Sequence, residues 1–174
     1  MVQTFFGRFG WFVALLALQV FVFNHIHLLG YATPMPYIFF FCTLTSQTPR
    51  WIYLTAGFLL GLLIDLFTNT PGMAAASLCL TGMIAPQLMR LFLPQDKDKD
   101  DTWMPTARTM EWGSFLRYTF CLTVINTVAY SLLEAFTFAN WQFLLLSMGG
   151  GIIMSFLCVI GIEAIRHNST KHGK

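Results

Sequence analysis

The stretch GFLLGLLIDLFTNTPGMAAAS, Gly57–Ser77, contains the signals that decide the fold. It begins inside a long apolar run, and Asp65 stands just before the end of that run. The sequence Asn-Thr-Pro-Gly at 69–72 is typical of a tight turn that also begins a helix. A helix needs about 20 mostly apolar residues to cross a bilayer. The stretch therefore predicts two membrane-spanning helices, Trp51–Phe67 and Gly72–Leu93.

The rest of the chain repeats this pattern. Of its 174 residues, 56% are hydrophobic and 10% are charged, and the apolar residues form long blocks. These blocks predict an all-α integral membrane protein, a single polytopic domain over 1–174 with about six membrane-spanning helices in three hairpins. The four further predicted spans are Gly10–Leu29, a short block Tyr31–Thr45 that contains Pro34 and Pro36, Gly113–Glu134 and Trp141–Ala164.

The distribution of Lys and Arg predicts the orientation. With six spans and the N-terminus inside, all 10 basic residues lie on the inner side or at its rim. Lys and Arg are enriched in cytoplasmic loops, so we expect an inner-membrane protein with both termini in the cytoplasm. The polar segment 94–112 is then a solvated cytoplasmic loop, and 166–174 is a cytoplasmic tail. Without the short second block as a span, Arg50 would lie outside.

The same topology brings polar residues together at the outer ends of the hairpins. Asp65 lies about 21 Å along its span, just below the outer interface, where an unpaired carboxylate costs several kcal/mol. Either it caps the turn that follows and joins two helices, or the group forms a polar seat for a partner helix or a periplasmic segment. The residues of this candidate cluster are Asn24, His25, His27, Asp65, Asn69, Glu134 and Asn140.

Small residues at four-residue steps mark faces where membrane helices approach closely. These faces serve either internal packing or the docking of a partner helix. The candidates are Gly57, Gly61, Gly72, Ser147, Gly151 and Ser155.

The chain has no motif of a known enzyme class. It contains no phosphate-binding glycine loop, no Ser-His-Asp set and no paired carboxylates. Its four cysteines are far apart, and the i, i+2 spacing of His25 and His27 puts them on different faces of a helix. We therefore expect a non-enzymatic protein with no cofactor, no metal and no nucleic-acid partner. A carrier mechanism is disfavoured, because the candidate charges cluster at one face.

One motif in the opening stretch resembles a known family. Gly57, Phe58, Gly61, Asp65 and Gly72 match the pattern Gly-Phe-x-x-Gly-x-x-x-Asp near the end of a span, followed by a turn glycine. This pattern, the chain length and the order of spans resemble the rod shape-determining protein MreD family. The segments 19–34 and 133–140 resemble its Bacteroidetes-type branch. One departure is the sequence Thr-Pro-Met-Pro at 33–36, where many relatives carry an acidic or Asn residue beside the proline.

The resemblance implies a component of the bacterial cell-elongation complex. The family pairs with MreC and is linked through it to RodA, a class B penicillin-binding protein and MreB. It is also similar in fold to the S-components of energy-coupling-factor vitamin transporters, small six-span bundles with an outward ligand pocket. The alternative function is therefore a small-molecule-binding component of a transporter.

Overall fold

A computed structural model describes residues 2–22, 34–70, 72–92, 103–134 and 141–169. All regular structure in these ranges is helical. Helix α1, Val2–Ala17, continues into a π-helical turn, Leu18–Val22, and a 3-10 helix, Pro36–Thr43, follows. The remaining helices are α2 (Arg50–Thr68), α3 (Met73–Leu91), α4 (Glu111–Glu134) and α5 (Trp141–Ser169).

Four helices of the described chain are long and apolar enough to cross a membrane. They are α2, α3, α4 and the part of α5 from Leu145 to His167. The helical stretch Phe9–Val22 is apolar but shorter. The protein is thus an all-helical membrane protein, whereas the prediction of six spans is not confirmed.

Glycines join α2 and α3 into a tight hairpin. A methyl group on Gly61 would lie 2.5 Å from the Cα atom of Ala75. One on Gly57 would lie 2.9 Å from the Leu78 carbonyl oxygen, and one on Gly82 would lie 2.7 Å from the Tyr53 carbonyl oxygen. Since the neighbouring atoms belong to the backbone, only glycine permits this approach. The small-residue pattern of α2 is used for packing inside the protein.

The second apolar block forms the short 3-10 helix at the centre of the bundle. Pro34 and Pro36 prevent an α-helix from starting earlier. At about 2.0 Å per residue, its eight residues cover roughly 16 Å, about half of the hydrocarbon core. Every residue of it is buried, among side chains of α1, α2, α4 and α5. The sequence predicted a short helix or a half-span for this block, and the eight-residue helix agrees with that prediction.

The 3-10 helix runs in the same direction as α5. Before it, the Met35 amide donates to the Ser155 hydroxyl at 2.9 Å, near the middle of α5. At its far end, the Arg166 guanidinium donates to the Cys42 carbonyl oxygen at 3.3 Å. Between these contacts, Trp11 and Phe12 of α1 pack against Phe39 and Phe40.

One predicted polar segment needs correction. Residues 103–110, expected in a solvated loop, fold against the bundle, and Trp103, Ala107 and Met110 are buried. The loop is fixed where Ser46 and Trp103 exchange two hydrogen bonds, at 2.8 and 3.2 Å. A segment of polar composition can thus bond to the protein as well as to water. Helix α5 continues to Ser169, into the predicted tail 166–174.

Candidate functional site

The carboxylate of Asp65 caps helix α3 from the neighbouring helix α2. Its Oδ1 accepts from the Ala74 amide and its Oδ2 from the Ala75 amide, both at 2.9 Å. Gly72, the residue before α3, has no side chain that can cap the helix, and these amides would otherwise lack partners. A negative charge at a helix N-terminus is also favoured by the helix dipole. This geometry corresponds to the structural interpretation, in which Asp65 joins two helices.

The close packing at Gly61 explains why the carboxylate of the motif stands four positions after this glycine. Residues four apart lie on one face of a helix, so Gly61 and Asp65 both face α3. Because Gly61 has no side chain, α2 can approach the first turn of α3 closely. A methyl group added at Gly61 would lie only 2.6 Å from the Ala74 carbonyl oxygen. One turn later, Asp65 is near enough to bind the free amides. The glycine and the carboxylate act together.

Asp65 also lies beside an open depression. The depression has a volume of about 430 Å³ and is lined by apolar and polar groups: Leu62, Asp65, Leu66, Asn69 and Gly72. The Thr70 hydroxyl donates to Oδ1 of Asp65 at 2.9 Å. Three donors leave a carboxylate, which can accept about four hydrogen bonds, with further acceptor capacity. The site can therefore accept a hydrogen bond from a group outside the chain.

The other predicted cluster residues are only partly described. Asn69 ends α2 in a left-handed conformation, with φ at 56°, and its amide donates to the Asp65 carbonyl oxygen. Glu134 is the last residue of α4 and is exposed. Tyr130, one turn earlier in α4, is partly buried and packs against the hydrophobic core. Asn24, His25, His27 and Asn140 lie outside the described residues.

The predicted small residues of α5 also face the interior. Gly151 is buried, and the buried Ser155 holds the Met35 amide. Ser147 is partly buried. Gly72 has a positive φ of 82° and open space around it, so it serves the turn and not a helix contact.

A second buried carboxylate lies at the opposite end of the bundle. Glu163 of α5 is 1% exposed, and its Oε1 accepts from the Ala107 amide at 2.8 Å. Its Oε2 forms an ion pair with Arg166, one turn further along. The Arg166 guanidinium also donates to the Pro105 carbonyl oxygen at 3.2 Å and lies 4.9 Å from the Phe39 ring centre. This pair joins α5 to the 3-10 helix and to the loop 103–110.

Sequence reasoning missed this pair. It placed Glu163 inside the last span without comment and assigned Arg166 to the tail. The available signal was their spacing, because a Glu followed by an Arg three residues later can form an ion pair on one helix face. The expectation that the buried acidic groups gather at one face is therefore wrong for the described chain.

A neutral polar layer lies between the two ends. Asn126 of α4 is fully buried, and its side-chain oxygen accepts from the Thr81 hydroxyl of α3 at 3.3 Å. Its amide nitrogen lies 3.4 Å from the Met35 sulfur and 3.5 Å from the Tyr37 hydroxyl. These contacts position the start of the 3-10 helix between α3, α4 and α5.

The described residues contain no group of three or more His, Cys, Asp or Glu side chains suited to hold a metal. The comparisons with known proteins give no further identification. The chain matches no protein-family model, and neither the curated proteins nor the solved structures contain a significant match.

Proposed function

We propose that this protein is a non-enzymatic inner-membrane component of the bacterial cell-elongation complex, of the MreD type. In this role it binds MreC and, through MreC, is linked to RodA, a class B penicillin-binding protein and MreB. The observation that carries the proposal is the joint role of Gly61 and Asp65. The motif on which the resemblance rests builds a helix cap that also lines an open depression.

The outer face of α2 is the surface that this proposal assigns to the partner helix. The glycine face of α2 is filled by α3 and leaves no room for another helix. About 100° around the helix from this face, Phe58, Leu62 and Leu66 are 45%, 46% and 73% exposed. A helix that packs along this stripe passes over the depression beside Asp65 and Asn69. A polar group of the partner then completes the hydrogen bonding of Asp65.

Disulfide crosslinking tests this surface. The four native cysteines are replaced, and single cysteines are placed at Leu62 or Leu66 and along the transmembrane helix of MreC. We expect crosslinks from both positions. Cysteines at the equally exposed Ile153 and Leu157 of α5 are the matched control and should not crosslink. Crosslinks from α5 and none from α2 would contradict the proposed surface.

The partner class is tested by affinity purification from the native membrane. The detergent-solubilised protein is captured, and the proteins that accompany it are identified by mass spectrometry. Recovery of MreC with elongation synthases supports the proposal. The variant Asp65→Asn, purified in the same way, tests the depression itself: a folded variant that retains MreC fully would remove Asp65 from the binding site.

For the topology, we propose six crossings with both termini in the cytoplasm. The parallel course of the 3-10 helix and α5 supports this proposal, because the segment 34–45 then forms the inner half of a second crossing. Labelling with a membrane-impermeant thiol reagent in intact cells is the test. A cysteine at Asn69 should react from outside, and a cysteine at Lys97 should react only after lysis.

A small-molecule-binding component of a vitamin transporter remains the second candidate. The depression beside Asp65 favours it, since its volume of about 430 Å³ lies in the range of small-ligand pockets. Co-purification of paired ATPase subunits and a coupling protein, in place of MreC, would select this function.

A further inference from the structure

The described basic side chains lie at one end of the bundle. Arg166, Glu163 and the loop 103–110 define this end, which we call the Arg166 end. Four further arginines lie at this end: Arg50 at the start of α2, Arg90 in the last turn of α3, and Arg108 and Arg117 near the start of α4. The opposite end, around Asp65 and Glu134, has no Lys or Arg among the described residues. The charge of the surface is therefore strongly asymmetric.

Exposed tryptophans accompany these arginines. Trp51 follows Arg50 and is 65% exposed, and Trp112 is 43% exposed. Tryptophan is enriched at the level of lipid headgroups, because its ring is apolar and its N–H group binds polar neighbours. The combination of exposed Arg and Trp at the Arg166 end is typical of a protein surface in the headgroup layer of a membrane.

The start of α2 and the end of α3 contribute two neighbouring arginines to this end. Tyr53 contacts Gly82, and its hydroxyl lies 3.7 Å from the Met89 sulfur, so the two helix ends are neighbours. From these contacts, Arg50 lies about 5 Å beyond Tyr53, and Arg90 about 12 Å beyond Gly82, along the hairpin axis. The offset of about 7 Å between them is similar to the depth of one headgroup layer.

Arg50 and Arg90 are also free of ion pairs within the described part of the chain, and both are exposed. Arg108 differs, because it donates to the His167 carbonyl oxygen at 3.2 Å. Exposed arginines at headgroup depth complement a phosphate of negative net charge.

We propose that Arg50, Trp51 and Arg90 form a binding site for an anionic phospholipid headgroup. The arginines bind the phosphate oxygens, and the Trp51 ring packs beside the glycerol and the upper acyl chain. The site distinguishes phosphatidylglycerol from phosphatidylcholine, because the choline cation cancels the phosphate charge. It is independent of the proposed partner surface, which lies at the Asp65 end of α2.

Native mass spectrometry of the detergent-purified protein tests the site, with phosphatidylglycerol and phosphatidylcholine of identical acyl chains as probes. Each basic residue near a lipid surface is worth about a fivefold change in binding. The double variant Arg50→Gln/Arg90→Gln should therefore bind phosphatidylglycerol about 30-fold more weakly than the wild type. The matched control Arg108→Gln/Arg117→Gln removes the same charge from the α4 side of this end, and it should weaken binding by no more than about fivefold, clearly less than the test variant.

Three results would overturn the proposal. Equal binding of both lipids by the wild type would remove the preference for negative charge. An equal loss in the test and control variants would show an effect of general surface charge without a site on α2 and α3. Wild-type binding that does not weaken as salt rises would also overturn it, because salt screens headgroup binding by arginine. This salt titration decides the matter if the variant does not fold.

Discussion

The two buried carboxylates lie at opposite ends of the bundle and are stabilised in different ways. Asp65 accepts hydrogen bonds from two backbone amides and a hydroxyl, and no cation is among its described partners. Glu163 is paired with Arg166 and accepts from one backbone amide. Asp65 lines an open depression, whereas Glu163 is closed in by the loop 103–110. One carboxylate can still bind an external group, and the other fixes internal structure.

The largest effect is expected from loss of the cation at the closed end. In Arg166→Gln, Glu163 stays buried without its charged partner, which costs about 3 to 5 kcal/mol of unfolding free energy. Unfolding in mixed micelles with increasing dodecyl sulfate, followed by circular dichroism, measures this loss. The variant Glu163→Gln/Arg166→Gln should recover part of the stability, since it buries no unpaired charge. A single variant as stable as the double one would contradict the ion-pair interpretation.

The next largest effect is expected at the helix contact that positions Asp65. The added methyl group of Gly61→Ala meets backbone atoms at 2.5 and 2.6 Å, so the helices must separate. Such overpacking costs about 1 to 3 kcal/mol. The same unfolding titration measures it.

The control for this variant is Gly161→Ala in α5, where no atom lies within 4 Å of the new methyl group. It should be neutral or slightly stabilising, by up to about 1 kcal/mol, because alanine favours a helix. A loss of equal size in both variants would show that the close approach at Gly61 is unimportant.

A smaller effect separates the charge of Asp65 from its shape. Asp65→Ala leaves the amides of Ala74 and Ala75 without a cap, at a cost of about 1 to 2 kcal/mol. Asp65→Asn keeps one acceptor and should lose about half as much. If Asn were as harmful as Ala, the negative charge, and not the hydrogen bonds, would hold α3.

The smallest stability effect is expected at the rim of the depression. Asn69→Gly retains the left-handed conformation and the backbone hydrogen bond, so the unfolding free energy should change by no more than about 0.5 kcal/mol. Partner recovery is the informative measurement here, because the substitution removes a polar group from the depression. A large loss of stability would show that the Asn69 side chain has a structural role.

The sequence identified the Asp65 end well and the Arg166 end poorly. Asp65 stood out because a charge inside an apolar run is rare, and its two possible roles followed from the adjacent turn. Glu163 and Arg166 lie where a span meets a polar segment, so both residues matched the expected composition. Their burial depends on residues 103–110, which return to the bundle some 60 positions earlier in the chain.

The short second block shows the same division. Its prolines predicted a short helix, and the described residues contain one. Its central position was not predictable, because it depends on contacts to Ser155 and Arg166, more than 100 residues away. The six-span count assigned the block to the first hairpin and predicted nothing about its position within the bundle.

By itself, the sequence determined that this is an all-helical membrane protein, where the turn between α2 and α3 lies, and which carboxylate stands beside that turn. These features depend on local apolar length and on turn residues, which act within a few positions of the chain. Only the tertiary structure decided that the glycines of α2 face inward, that the 3-10 helix lies in the centre, and that Glu163 and Arg166 close one end. These features depend on contacts between distant segments, because a buried polar group must find its partners wherever the fold brings them.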